Sequence, residues 1–213
     1  MRSRHRALVF VVALLALVAA ERPAQAGEPI EQLRSQIDRV LKVLEDPELK
    51  KDHRALERRA AVRKIANDIF DFSETAQRSL ARHWAPRTPT ERSEFVRLFA
   101  DLLERSYISK IEVYGGEKIQ FIGESIDGDL ATVRTKITTR EGSDIPIDYR
   151  MLHRGNRWLV YDVVIEGVSL IANYRAQFNK IITTSSYNEL VKKMRTKQEE
   201  FLEEERQRRT SLR

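Results

Sequence analysis

Asp162 lies inside the most apolar strand-like run of the chain, WLVYDVVI at residues 158–165. A carboxylate withdrawn from water must meet a cation or several donors, take up a proton, or act as a base. The expected role is structural, in a salt bridge or hydrogen bond with Arg175 or another cation. A general base is the competing role, but no second carboxylate or histidine is placed to share a mechanism. Ser169 follows in Gly167-Val168-Ser169-Leu170-Ile171. This order partly fits the strand-to-helix turn of a hydrolase nucleophile, G-x-S-x-G, with Ile171 replacing the second glycine. A serine at such a junction is expected instead to cap the helix, its oxygen accepting from a free backbone amide. His53, His83 and His153 are far apart and lack metal-ligand spacing, and a chain without cysteine brings no thiolate to a zinc site. No metal is expected. Tyr107, Tyr149, Tyr161, Tyr174 and Phe178 fall on core-facing stripes, so packing or a pocket is expected of them before nucleic-acid stacking.

The elements that position these residues follow from periodicity. Ile30, Leu33, Ile37, Val40, Leu41 and Leu44 recur at helical spacing until Asp46-Pro47. Leu56, Val62, Ile65 and Ala66 lead to Asp71 and Glu74, whose spacing predicts a capping box for a helix through Ala76, Leu80 and Trp84. Thr88-Pro89-Thr90-Glu91 is a stronger start signal. It opens a long helix with Phe95, Leu98, Phe99, Leu102, Leu103, Ser106 and Tyr107 on its buried face, to about residue 109. After Tyr114-Gly115-Gly116 come four strand-like runs at 118–126, 130–138, 145–153 and 158–165, separated by Asp127-Gly128, Glu141-Gly142 and Gly155-Asn156. Ile145, Ile147, Tyr149 and Met151 share one face of the third, opposite Asp148 and Arg150. Gly167 marks the change from strand to helix, where Leu170, Ile171, Tyr174, Phe178 and Ile181 form one stripe. Ser186 and Glu189 start a last helix.

The expected fold is α+β: a curved, antiparallel four-stranded sheet packed with helices, closing into a cone with an apolar interior. Periodicity does not distinguish a filled interior from a cavity. The 213 residues suit one domain with a helical extension, and 41% apolar with 33% charged residues describes a chain with a real core and a charged surface. Arg2, Arg4 and Arg6, the apolar run at 7–20 and Ala24-Gln25-Ala26 form a secretory signal with cleavage after Ala26. Its removal takes four Arg and one Glu, leaving a net charge of +3 in place of +6. Such a balance does not suit a large nucleic-acid surface. The expected division is a signal peptide at 1–26, a single domain at 27–195, and a charged helical or disordered tail at 196–213.

Trp158, Tyr161-Asp162-Val163, Glu166-Gly167-Val168-Ser169-Leu170, Asn173-Tyr174-Arg175 and Gln177-Phe178 together resemble the signature of MlaC, the toluene-tolerance (Ttg2-type) family of periplasmic phospholipid-binding proteins. The resemblance runs from about residue 65 to 190. It implies a fold related to nuclear transport factor 2, an NTF2-like cone, holding a phospholipid with its acyl chains buried and its headgroup near solvent. It implies no catalysis and no cofactor, the lipid being a ligand. The implied role is a periplasmic shuttle in lipid traffic and outer-membrane asymmetry, an auxiliary component of an ABC transporter. Its implied partners are an inner-membrane ABC transporter with an MCE-domain subunit and an outer-membrane lipoprotein–porin complex. On this reading Phe99, Leu103, Tyr107, Tyr149, Met151, Val163, Ile165, Val168, Ile171 and Tyr174 line the lipid site, while Asp162, Gly167, Ser169 and Arg175 hold the structure. Two departures matter: the tail after Lys192 is longer and more charged than the family's, and the superfamily includes members tied to hopanoids. A polycyclic lipid is therefore an alternative ligand, and an NTF2-like enzyme using Asp162 is an alternative function.

Overall fold

A computed structural model describes residues 28–211. The expected export segment lies outside the described residues. Helix α1 (Pro29–Glu45) begins with a proline at its first turn, where no amide partner is lost, and ends as the Asp46 carboxylate accepts from the amides of Glu48 and Leu49. It is followed by α2 (Ala55–Ile69) and α3 (Phe72–Leu80). Asp71 caps α3 by accepting from the Glu74 amide. The predicted capping box forms only in this half, because the Glu74 carboxylate is drawn outward to Arg78 and Arg154. In α4 (Pro89–Glu112) both halves form: Thr88 Oγ1 accepts from the Glu91 amide, and the Glu91 carboxylate accepts from the Thr88 amide.

The sheet is an antiparallel meander of β1 (Lys118–Asp127), β2 (Leu130–Thr138), β3 (Asp144–Arg154), β4 (Arg157–Ile165) and β5 (Val168–Ser169), in that spatial order. The fifth strand exceeds the predicted four. It arises because Glu166 and Gly167, at φ 50° and 81°, form a tight reversal that pairs Val168 with Ile165. Register shifts opposite Phe121/Gly123 and Arg150/Met151 bend the sheet. Helices α5 (Leu170–Thr184) and α6 (Tyr187–Ser211) complete the chain.

Helices α1 and α2 pack on the sheet, α3 and α5 meet β4, and α4 packs chiefly on α3 and α6. Three apolar clusters result. One is helical, centred on Phe95, Leu98, Phe99, Phe178 and Leu190. The second joins Leu33, Ile65 and Ile69 to Ala131, Val133, Met151 and Val160 of the sheet. A small third cluster ties Leu44 and Val62 to Ile108 of α4. Helix α6 runs parallel to α4: Tyr187 Oη donates to the Glu91 carbonyl, Arg105 donates to the Lys197 carbonyl, and the Arg105 guanidinium lies 5.5 Å from the Phe201 ring centroid. The boundary expected at 195/196 thus falls inside a continuous helix.

Candidate functional site

At the β4–α5 junction the Asp162 side chain is 4% exposed. Its Oδ2 accepts from Ser169 Oγ at 2.6 Å and from Arg150 Nη1 at 3.1 Å, while Oδ1 accepts from the Ile171 amide at 3.1 Å. The expected partner Arg175 is elsewhere, its Nε donating to the Arg78 carbonyl. Arg150 takes its place because antiparallel register sets it directly opposite Asp162 on the neighbouring strand. Pairing in register brings Arg150 to Asp162, whereas Arg175 of α5 is engaged with α3. Ser169 Oγ also accepts from the Ala172 amide as the N-cap of α5. One hydroxyl and one carboxylate thus serve two of the free amides at that helix end, where a negative charge is favourable.

This geometry ties the strand–helix junction together. The Ser169 proton points at a carboxylate already engaged by an arginine and an amide. His83 contacts Asn179 and Arg82, and the His153 ring lies tilted against Trp158, centroids 4.8 Å apart. Among the described residues no His, Asp and Glu cluster could hold a metal ion.

The second feature is apolar. Ile119, Ile137 and Ile145 are register partners across β1, β2 and β3, and Ile147 pairs with Ile165 of β4. Alternation places all five on the sheet face that also carries Tyr149 and Val163. All five isoleucines are half-buried and belong to none of the three packed clusters. Only part of this face was visible beforehand, through the alternation of the third strand. Ile119 and Ile137 needed the register. Beside the row, Tyr149 retains accessible surface yet is so enveloped that burial pushes its hydroxyl up to about 12, with a hydrogen bond to Thr135 acting the other way.

Helix α4 approaches this face through shared neighbours. Val40 and Val43 of α1 pack both on the cluster containing Tyr149 and Val163 and on the one containing Ile108 and Ile111. Arg58 and Arg59 of α2 pin the end of α4 through Glu112, which is 10% exposed. Helix α5 runs antiparallel to α4, since Phe178 meets Phe95 while Tyr174 meets Phe99 and Ser106. The end of α4 and the start of α5 therefore lie at one end of the molecule. There Val113 and Val168 are 77% and 57% exposed.

The ten residues expected to line a lipid site separate into three kinds. Phe99, Met151 and Ile171 are buried members of the packed clusters. Leu103, Tyr107, Tyr149, Val163, Ile165 and Tyr174 are half-buried, and Val168 is exposed. Met151 also borders a pocket of about 20 Å³ with Gln32, Gln36, Asp68, Arg157 and Trp158, room for about one water molecule.

A family model described as MlaC protein matches residues 34–196. The chain is 25% identical over 138 residues to the intermembrane phospholipid transport system binding protein MlaC of Haemophilus influenzae, covering 61% of this chain and 64% of that protein. It is 27% identical over 92 residues to toluene tolerance protein ttg2D of Pseudomonas putida, covering 43% of each. The aligned parts thus span about two thirds and less than half of these relatives' lengths. The fold matches a phospholipid-binding protein of Ralstonia solanacearum, solved in complex with a phospholipid, at a TM-score of 0.70 and 23% identity, over 79% of this chain and 96% of that one.

Proposed function

The chain belongs to the MlaC family, and from that premise we propose that it binds a phospholipid and carries it between membranes without altering it. The observation that carries the reading is the row Ile119, Ile137, Ile145, Ile147 and Ile165, an apolar strip that lies beside the second cluster on the sheet face and belongs to none of the packed clusters. Leaving such a strip wet is unfavourable. Each acyl methylene that covers it gains about 0.8 kcal/mol on leaving water, so a two-chain lipid is held by burial alone and no covalent step is needed. The half-buried Leu103, Tyr107, Tyr149, Val163 and Tyr174 extend the lining, and Val113 and Val168 mark the open end. Asp162 is a structural acid in this reading, because Arg150, Ser169 and the Ile171 amide already occupy its oxygens.

The working place is the periplasm, supported by the arginine-led apolar segment and Ala24-Gln25-Ala26. No helix among the described residues is long and apolar enough to cross a membrane. Donor and acceptor are an inner-membrane ABC transporter with an MCE-domain subunit and an outer-membrane lipoprotein–porin complex. Mass spectrometry of lipid extracted from protein purified from its native host tests the reading. One diacyl phospholipid per chain is expected. A hopanoid would change the ligand class, an absence of lipid would favour an adaptor with a solid core, and a bound lipid converted on incubation would favour an enzyme.

A further inference from the structure

Three residues of α4 change chemical character in order along one side of the helix. Leu103 is apolar and packs with the helical cluster. Tyr107, one turn on, lies against the Tyr174 hydroxyl of α5, and its own hydroxyl is held above its usual range by burial first and by Tyr174 second. Lys110 follows within another turn, exposed, its ammonium 5.4 Å from the Tyr107 ring centroid. The spacing brings all three to one side, and from Leu103 to Lys110 the helix rises only about 10 Å. The end that carries Lys110 also carries the exposed Val113.

The hydroxyls of this step can turn to a new partner. Ser106 Oγ donates to the Leu102 carbonyl at 2.8 Å. Tyr174 Oη reaches Ser106 Oγ only at 3.5 Å, the outer limit of a hydrogen bond. Exchanging that long contact for a good acceptor costs little, and the acceptor would sit between an apolar lining and a cation. A glycerophospholipid carries groups in that order: hydrocarbon, ester carbonyl, then phosphate across the glycerol unit. We infer that Tyr174, supported by Tyr107, donates to an ester carbonyl of the bound lipid while Lys110 meets its phosphate. These residues then select ester-linked phospholipids over lipids of equal apolar bulk that lack the carbonyl. The inference rests on the phospholipid reading above and adds the polar contact that fixes the lipid's depth.

The test is a competition. Protein stripped of lipid is incubated with vesicles containing equal amounts of dioleoyl phosphatidylglycerol and its diether counterpart, and the bound lipids are quantified by mass spectrometry. A hydrogen bond of ordinary strength predicts a preference of about fivefold for the diester. Tyr107→Phe with Tyr174→Phe should lower diester loading and bring the ratio close to one, with an unchanged melting temperature showing that the fold holds. Lys110→Gln should keep the ester preference and lower the uptake of phosphatidylglycerol relative to dioleoylglycerol. Equal loading of diester and diether by the parent protein overturns the inference without using any variant, and so does a preference that survives in the double Phe protein. Failure of the parent to load either lipid overturns the phospholipid reading itself, and the inference with it.

Discussion

Replacing Asp162 by alanine should lower stability by about 3 kcal/mol, through three separate losses. The pair with Arg150 is worth little, about 0.5–1 kcal/mol, because the arginine side chain is 46% exposed and returns to water. The Ile171 amide is buried and has its acceptor in Asp162 Oδ1. Leaving a buried donor without an acceptor costs about 1–3 kcal/mol. Ser169 Oγ is less affected, since its hydroxyl can rotate while it still accepts from the Ala172 amide. At about 2–4 °C per kcal/mol for a domain of this size, the midpoint should fall by roughly 6–12 °C, measured by circular dichroism or calorimetry. Asp162→Asn should cost less, since its carbonyl still receives the Ile171 amide while its NH2 faces the Arg150 donor. Double-mutant cycles locate the partner. Asp162→Ala and Arg150→Ala should couple by about 0.5–1 kcal/mol, and Asp162→Ala with Arg175→Ala should add within about 0.3 kcal/mol. Coupling to Arg175 with none to Arg150, or a stable Asp162→Ala protein that no longer transforms a bound lipid, would refute the structural assignment.

Ile147→Trp should reduce co-purifying lipid with little loss of stability, whereas Met151→Trp should cost about 1–3 kcal/mol by overpacking a side chain that is 1% exposed; lipid-to-protein ratios and melting curves separate the two. Because burial raises the Tyr149 hydroxyl from 10 to about 12, the folded state holds more protons than the unfolded state in that interval, so this residue makes stability fall as pH rises from about 10 to about 12. Tyr149→Phe should flatten that part of the curve in denaturant titrations at stepped pH. Glu112→Ala should destabilise by about 2–4 kcal/mol, since it leaves Arg58 and Arg59, 15% and 22% exposed, without their shared carboxylate; chemical unfolding measures the loss. Gly167→Ala should cost about 1 kcal/mol by placing a Cβ at φ 81°, read as a shift of the urea midpoint with an unchanged slope.

Local chemistry made much of the fold legible. Thr88, Pro89 and Glu91 start α4 through bonds within four residues, and Asp127-Gly128 closes a hairpin whose strands hold apolar residues at a period of two. Ser169 was readable as a cap for the same reason: its partner is three residues away. The fifth strand escaped notice because two residues are too few to show a period. The charged end of α6 was open between helix and disorder, and what it leans on, Arg105 of α4, is some ninety residues earlier in the chain.

The residues proposed to line the lipid site divide along the same line. Periodicity identified the inward side chains of the third strand and of the helices, since there the pattern depends only on the geometry of a strand or a helix. It could not separate Met151 and Ile171, which are consumed by packing, from Ile147 and Ile165, which are not. That difference is set by where neighbouring helices come to rest, a sum over contacts between segments far apart in sequence. The partner of Asp162 was decided likewise. The sequence alone required that a buried carboxylate be matched, because an unpaired charge there is prohibitively unfavourable. Only strand register, fixed by the whole sheet, made that match Arg150 instead of Arg175.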